Sequence, residues 1–104
     1  MNKQKTISEL TTFLAYAVSH RIGSIVNKDE IYADKYRKEP EEFMKKAKII
    51  SFTQNWNEYD KIIIKEKFRK NVESELTRKN FLNNRKFEIM DEEIDKCLNE
   101  LNLL

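Results

Sequence analysis

The sequence predicts an all-α fold, a small bundle of four to five helices that forms a single domain over residues 1–104. The chain has one glycine and one proline in 104 residues, whereas turns and hairpins use these residues for their special backbone angles. Apolar residues also recur every three or four positions, which is the spacing of one face of a helix. These two observations indicate helices joined by short polar connections.

The first helix is expected to begin at Thr6. Thr6 and Glu9 have the spacing of a capping box, in which a hydroxyl and a carboxylate each satisfy a backbone N–H. The apolar positions that follow at helical spacing are Ile7, Leu10, Leu14, Ala17 and Val18. The end of this helix has two interpretations, because Gly23 can form a left-handed cap or the helix can continue to Val26.

A second, short helix is expected to follow a cap at Asn27 or Asp29. Its apolar and aromatic residues are Ile31, Tyr32 and Tyr36. Pro40 either stops this helix or opens the next one, since proline is well tolerated in a first helical turn. The pattern then continues with Phe43, Met44, Ala47 and Ile50.

Residues 48–67 allow two interpretations. Asn57 followed by Glu58 and Asp60 is typical of a helix start. This start predicts a long helix to about Lys79 with a stripe of Ile64, Phe68, Val72 and Leu76. Alternatively, the β-branched residues on either side of a polar turn predict a hairpin, which would make the fold α+β and winged-helix-like.

The last helix is predicted to open at Asp91, after a connection marked by three asparagines. Asp91, Glu92 and Glu93 suit the positive end of a helix dipole. The residues that share one face of this helix are Ile94, Cys97, Leu98 and Leu101. The pattern is strongly amphipathic.

Charge is segregated along the chain, although the net charge is only +2. Residues 61–86 contain nine basic and three acidic side chains, and residues 87–104 contain one basic and six acidic side chains. A basic block followed directly by an acidic one has three interpretations: an exposed phosphate-binding surface, a solvated helix face, or two segments that neutralise each other.

The residue types exclude most chemistry. His20 is the only histidine and Cys97 the only cysteine, so an intrachain disulfide and a multi-cysteine metal site are excluded. One glycine cannot form a glycine-rich phosphate loop. We therefore expect no enzymatic activity, no cofactor and no metal. The single cysteine and the lack of a long apolar run favour a cytoplasmic protein without a membrane segment.

The favoured function is that of a small regulatory or adaptor protein that binds another protein. We expect the apolar face of the last helix to dock the partner, with a homodimer through the same face as a second option. The partner-binding residues are predicted to be Tyr32, Tyr36, Trp56, Ile94, Leu98 and Leu101.

The alternative function is nucleic-acid binding by the basic segment 61–86. Cations in this segment could contact phosphates, and aromatic side chains nearby could stack on bases. The predicted contacts are Lys61, Lys65, Arg69, Lys70, Arg78, Lys79, Arg85 and Lys86.

Overall fold

A computed structural model describes residues 2–27, 33–80 and 82–104, with the side chains of 33–39 left undescribed. The four α-helices are α1 (Lys3–Val26), α2 (Ala33–Ser51), α3 (Glu58–Arg78) and α4 (Met90–Glu100), with a 3-10 turn at Asn84–Phe87. No strand occurs in the described ranges. The small all-α bundle expected from the sequence is confirmed.

Helix α1 is longer at both ends than the capping patterns suggested. It begins at Lys3 because the side-chain oxygen of Asn2 accepts hydrogen bonds from the N–H groups of Gln4 (3.0 Å) and Lys5 (3.4 Å). The predicted start at Thr6 is therefore wrong. At the other end the helix passes through Gly23 and reaches Val26, as the longer interpretation predicted.

Helix α1 is the centre of the bundle, because it packs against α2, α3 and α4 and against the 3-10 turn. Eleven of its 24 residues are buried. It lies beside α3 in the same direction, since Lys3 contacts Asp60 near the starts of the two helices, and the Asn27 side chain accepts the Asn83 N–H beyond their ends at 2.9 Å. A helix surrounded in this way supplies much of the core.

Helix α2 runs through Pro40 without a break. Proline in a helix interior loses one backbone hydrogen bond, and the extensive packing of α2 along α1 compensates for that loss. The expectation that Pro40 stops or opens a helix is therefore wrong. Of the two predicted caps of the second helix, Asn27 is the C-cap of α1. Asp29 lies outside the described residues, as do Ile31, Tyr32 and the side chain of Tyr36.

The hairpin interpretation of residues 48–67 is also wrong, and the winged-helix-like arrangement is excluded with it. Helix α2 ends at Ser51 and α3 starts at Glu58. Asn57 and Asp60 form a reciprocal capping box, with N···O distances of 2.8 and 3.1 Å. The cap and the burial of Ile64 outweigh the β-propensity of the isoleucines.

Helix α4 starts one residue before the predicted position and buries the predicted face. Helices α3 and α4 pack against α1 and against each other, and they complete the core. The buried apolar side chains contributed by these two helices are Ile64, Phe68, Val72, Leu76, Met90, Ile94, Cys97 and Leu98. Leu101 and Leu103 follow α4 and are buried as well.

Candidate docking surface

The single cysteine lies in the core and not at a reactive site. Cys97 is 1% exposed, and its Sγ lies 3.6 Å from Sδ of Met44. Burial, with smaller contributions from nearby Glu100 and Glu93, raises the pKa of the thiol to about 12. The thiol therefore stays protonated near neutral pH and is a poor nucleophile.

Metal and histidine chemistry find no support in the described part of the chain. No group of three or more His, Cys, Asp or Glu side chains there is placed to hold a metal ion. The ring of His20 packs against Phe43 with centroids 5.6 Å apart, and Phe43 also contacts Tyr16 at 5.3 Å. His20 thus helps to join α1 to α2.

A cleft of about 400 Å³ lies beside Cys97, between α1, α2 and α4. Its walls include Val18 and Met44. Arg21 borders the cleft and is held by Glu93 at 3.5 Å and by Glu100 at 3.7 Å. The guanidinium is therefore already paired with carboxylates. The rest of the lining combines apolar side chains with Ser24 and Glu41.

The basic segment 61–86 is joined to the acidic helix α4 by ion pairs. Arg69 Nε donates to Asp91 Oδ1 at 3.0 Å, and Lys65 Nζ lies 3.5 Å from Asp95 Oδ1. The contact with Asp91 raises the pKa of Arg69 above its ordinary value. Two of the predicted phosphate contacts are thus already paired with carboxylates of α4.

Most of the other basic candidates also have partners. Lys61 pairs with Glu58, and both Arg78 and Lys79 pair with Glu75. The ammonium of Lys86 is buried and donates to the carbonyl of Lys79 at 2.9 Å. Within the described ranges, the two predicted contacts without an ion pair or such a hydrogen bond are Lys70 and Arg85.

The predicted docking face of the last helix is part of the core. Ile94, Leu98 and Leu101 are 1%, 0% and 5% exposed, because α4 turns this face towards α1 and α3. An amphipathic pattern predicts that the apolar face of a helix packs against another element. It does not say whether that element belongs to the same chain. The three residues offer no surface to a partner in this fold, so their assignment as contacts is corrected.

Trp56 is half-buried at the turn between α2 and α3. Its Nε1 donates to the carbonyl of Ser51 at 2.9 Å, and Lys3 Nζ lies 5.8 Å from the ring centroid. The hydrogen bond joins Trp56 to the last residue of α2. Only part of the indole ring is exposed and can contact a partner. Tyr32 and the Tyr36 side chain lie outside the described residues.

Two strongly exposed apolar side chains lie elsewhere, at the C-terminal end of α2. Phe52, the residue that follows the helix, is 77% exposed and Ile49 is 68% exposed. Three exposed lysines precede or flank them on the same stretch. We call this group the α2-end surface, and it consists of Lys45, Lys46, Lys48, Ile49 and Phe52.

The α2-end surface follows from helical geometry. Lys45, Ile49 and Phe52 are spaced i, i+4 and i+7, so they form one row. Ala47 and Ile50 lie on the opposite side and pack into the core. The sequence pattern predicts Ile50 on the buried face, whereas Ile49 and Phe52 enter only as residues of the alternative hairpin. The signal that could have found them is this second apolar row beside lysines.

Further exposed apolar residues are spread over the molecule. Tyr59 and Ile62 are exposed on the first turns of α3. Ile25, Phe87 and Leu104 are also exposed. Apolar residues at the surface are common in folded proteins. What distinguishes the α2-end surface is that its Lys45 and Lys48 have no ion pair in the described ranges, whereas the lysines next to Tyr59 and Ile62 pair with Glu58 and Asp95.

No protein-family model, curated protein or solved structure matches the chain. None of the helices in the described part is long and apolar enough to cross a membrane. The functional argument therefore rests on the geometry given above.

Proposed function

We propose that the chain is a small adaptor protein that binds another protein through the α2-end surface. The observation that carries the proposal is the exposure of Ile49 in the last turn of α2 and of Phe52 directly after it, while the other face of the helix is buried. Aromatic and large aliphatic side chains are typical anchors of protein interfaces. In this account the role is one of docking, without catalysis.

The two anchors stand on a well-supported helix. Ala47 is fully buried, and Phe43 stacks on Phe13 with centroids 6.4 Å apart. These contacts hold α2 against α1, so the anchors need little ordering when a partner binds. Pre-organisation of this kind lowers the entropic cost of association.

The energy available from the anchors is consistent with a specific but reversible complex. Burial of a Phe or Ile side chain contributes about 1.5–3 kcal/mol. A micromolar complex requires about 8 kcal/mol in net binding free energy. Phe52 and Ile49 can therefore supply a substantial part of this binding free energy, and contacts around them supply the remainder.

Nucleic-acid binding is the weaker proposal. Six of its eight predicted contacts already have a carboxylate or carbonyl partner in the described structure. Each such contact would have to be broken or shared before a phosphate could bind. This competition lowers the affinity expected from the basic segment.

The proposal is tested by photo-cross-linking in the cells that produce the protein. A photoreactive phenylalanine analogue is placed at Phe52 and, as a matched control, at Phe87, which is also exposed. We expect a discrete adduct with a different protein from position 52, lost when Ile49→Asp is added, and no such adduct from position 87.

Three results would overturn the proposal. The first is an identical adduct pattern from both positions, and the second is no adduct from position 52. The third is an adduct at twice the mass of the chain, which would identify a homodimer and not an adaptor complex.

A further inference from the structure

We infer that the partner presents an acidic amphipathic helix to the α2-end surface, an inference that rests on the proposed function. Such a helix would place apolar side chains against Ile49 and Phe52 and carboxylates against Lys45 and Lys48. Three properties of these residues support the inference: their charge, their spacing along the helix and the ion pairs that they make or lack.

The lysines of the α2-end surface have no acidic partner in the described part of the chain. Lys46 lies over the ring of Phe13, with Nζ 5.6 Å from the centroid. Lys45 and Lys48 have neither an ion pair nor a ring contact there. Lys65 and Arg69, by contrast, are neutralised by α4. The positive charge of the α2-end surface is thus available to a partner.

The helix dipole explains only part of this charge. A cation in the last turn stabilises the negative end of a helix, and Lys48 is in the last turn of α2. Lys45 lies six residues before Ser51 and is outside that turn, where the dipole effect has faded. Its exposed position beside Ile49 places its charge where it is complementary to a carboxylate of a partner.

The spacing of the anchors suits a helical partner. Lys45, Ile49 and Phe52 form a ridge about 10 Å long, which is two turns of helix. Ridges of this type pack into the grooves of another helix. Glu41 and Glu42 are exposed one turn earlier and would repel carboxylates of the partner. The carboxylates would therefore lie over the lysines, which fixes the position of the partner helix along the ridge.

The experiment uses two synthetic peptides of about 18 residues, long enough to form a helix. Both carry the same leucine and phenylalanine stripe, but one has Glu at its flanking positions and the other has Gln. Binding to the full chain is measured by fluorescence anisotropy at low and high salt. We expect the Glu peptide to bind about tenfold more tightly at low salt, with the difference lost at high salt.

Three variants assign the binding to this surface. Lys45→Glu with Lys48→Glu should remove the preference for the Glu peptide. Lys67→Glu with Lys70→Glu is the matched control, because these exposed lysines lie on α3, and it should leave the preference intact. Phe52→Asp should abolish the binding of both peptides. Circular dichroism of each variant shows that it is folded.

The outcomes separate the two proposals. Equal binding of the two peptides, still abolished by Phe52→Asp, would overturn the acidic partner and leave the adaptor function standing. Binding of neither peptide would also overturn this inference, while cross-linking from position 52 decides the adaptor function independently. Phe52-dependent binding to phosphatidylserine vesicles that exceeds binding to the Glu peptide would replace the acidic helix with a lipid surface.

Discussion

Lys3 Nζ lies 2.6 Å from Asp60 Oδ2 and connects the first turn of α1 to the first turn of α3. The same carboxylate accepts the backbone N–H of Asn57 in the capping box. One side chain therefore joins two helices and closes the N-terminus of one of them. This relationship explains why the chain can enter α3 directly after a short turn.

The Asp60 contacts predict a specific pH dependence. The hydrogen bonds from Lys3 and Asn57 lower the pKa of Asp60 below its ordinary value of 3.8. A lowered folded-state pKa contributes stability that is present above the unfolded pKa and is lost as pH falls through the folded pKa. We expect Asp60→Asn to lower the melting temperature at neutral pH, and the difference from wild type to shrink below about pH 4.

Thermal unfolding followed by circular dichroism between neutral and acidic pH measures this effect. Asp95→Asn is the control, because Asp95 is exposed and lies 3.5 Å from Lys65, a surface pair of little expected value. A pH profile of Asp60→Asn that parallels wild type throughout the acidic range would contradict the prediction.

The burial of Leu98 predicts that the apolar face of α4 is needed for folding. Leu98→Ala should lower the free energy of unfolding by about 2–5 kcal/mol, because it removes buried methyl groups and leaves a cavity. Phe52→Ala should change it by less than about 0.5 kcal/mol, since Phe52 is exposed. Urea denaturation of the two variants makes the comparison. Equal stability of Leu98→Ala and wild type would show that this face is not core.

The ion pairs between α3 and α4 predict weak nucleic-acid binding. Labelled DNA and RNA should bind the wild-type chain poorly at low salt, because Arg69 and Lys65 face Asp91 and Asp95. Asp91→Asn with Asp95→Asn should raise the affinity by releasing two cations. Micromolar wild-type affinity with a steep salt dependence would restore the nucleic-acid function and contradict this account.

The environment of Cys97 predicts slow thiol chemistry. Burial raises the pKa of the thiol to about 12, so the reactive thiolate is scarce at pH 8 in the folded protein. We expect a disulfide reagent to modify the folded chain far more slowly than the urea-unfolded chain. Modification at the same rate in both states would show that the thiol is accessible.

Local signals in the sequence were sufficient for some elements and misleading for others. The start of α3 was predicted correctly because Asn57 and Asp60 act within one turn of each other. The start of α1 was missed because Asn2 caps it four residues before the predicted Thr6. Pro40 was misread because its cost is compensated by packing against α1, which depends on the tertiary fold.

The candidate site depended on tertiary information to a greater extent. The face of Ile94 and Leu98 and the row of Ile49 and Phe52 are both apolar stripes at helical spacing. Helix α4 buries the first against α1 and α3, while α2 leaves the second exposed because a helix packed on one neighbour covers only one side. The arrangement of the helices decides which apolar stripe is buried. The spacing of the residues in the sequence does not carry that information.

The most direct test of the adaptor function uses the partner protein that is cross-linked from position 52. The partner is purified, and its affinity is measured for the wild-type chain, Phe52→Ala and Phe87→Ala. The account predicts that Phe52→Ala weakens binding by at least about 2 kcal/mol, as an interface anchor should, whereas Phe87→Ala binds like wild type. Wild-type affinity in Phe52→Ala would contradict the claim that the α2-end surface docks the partner.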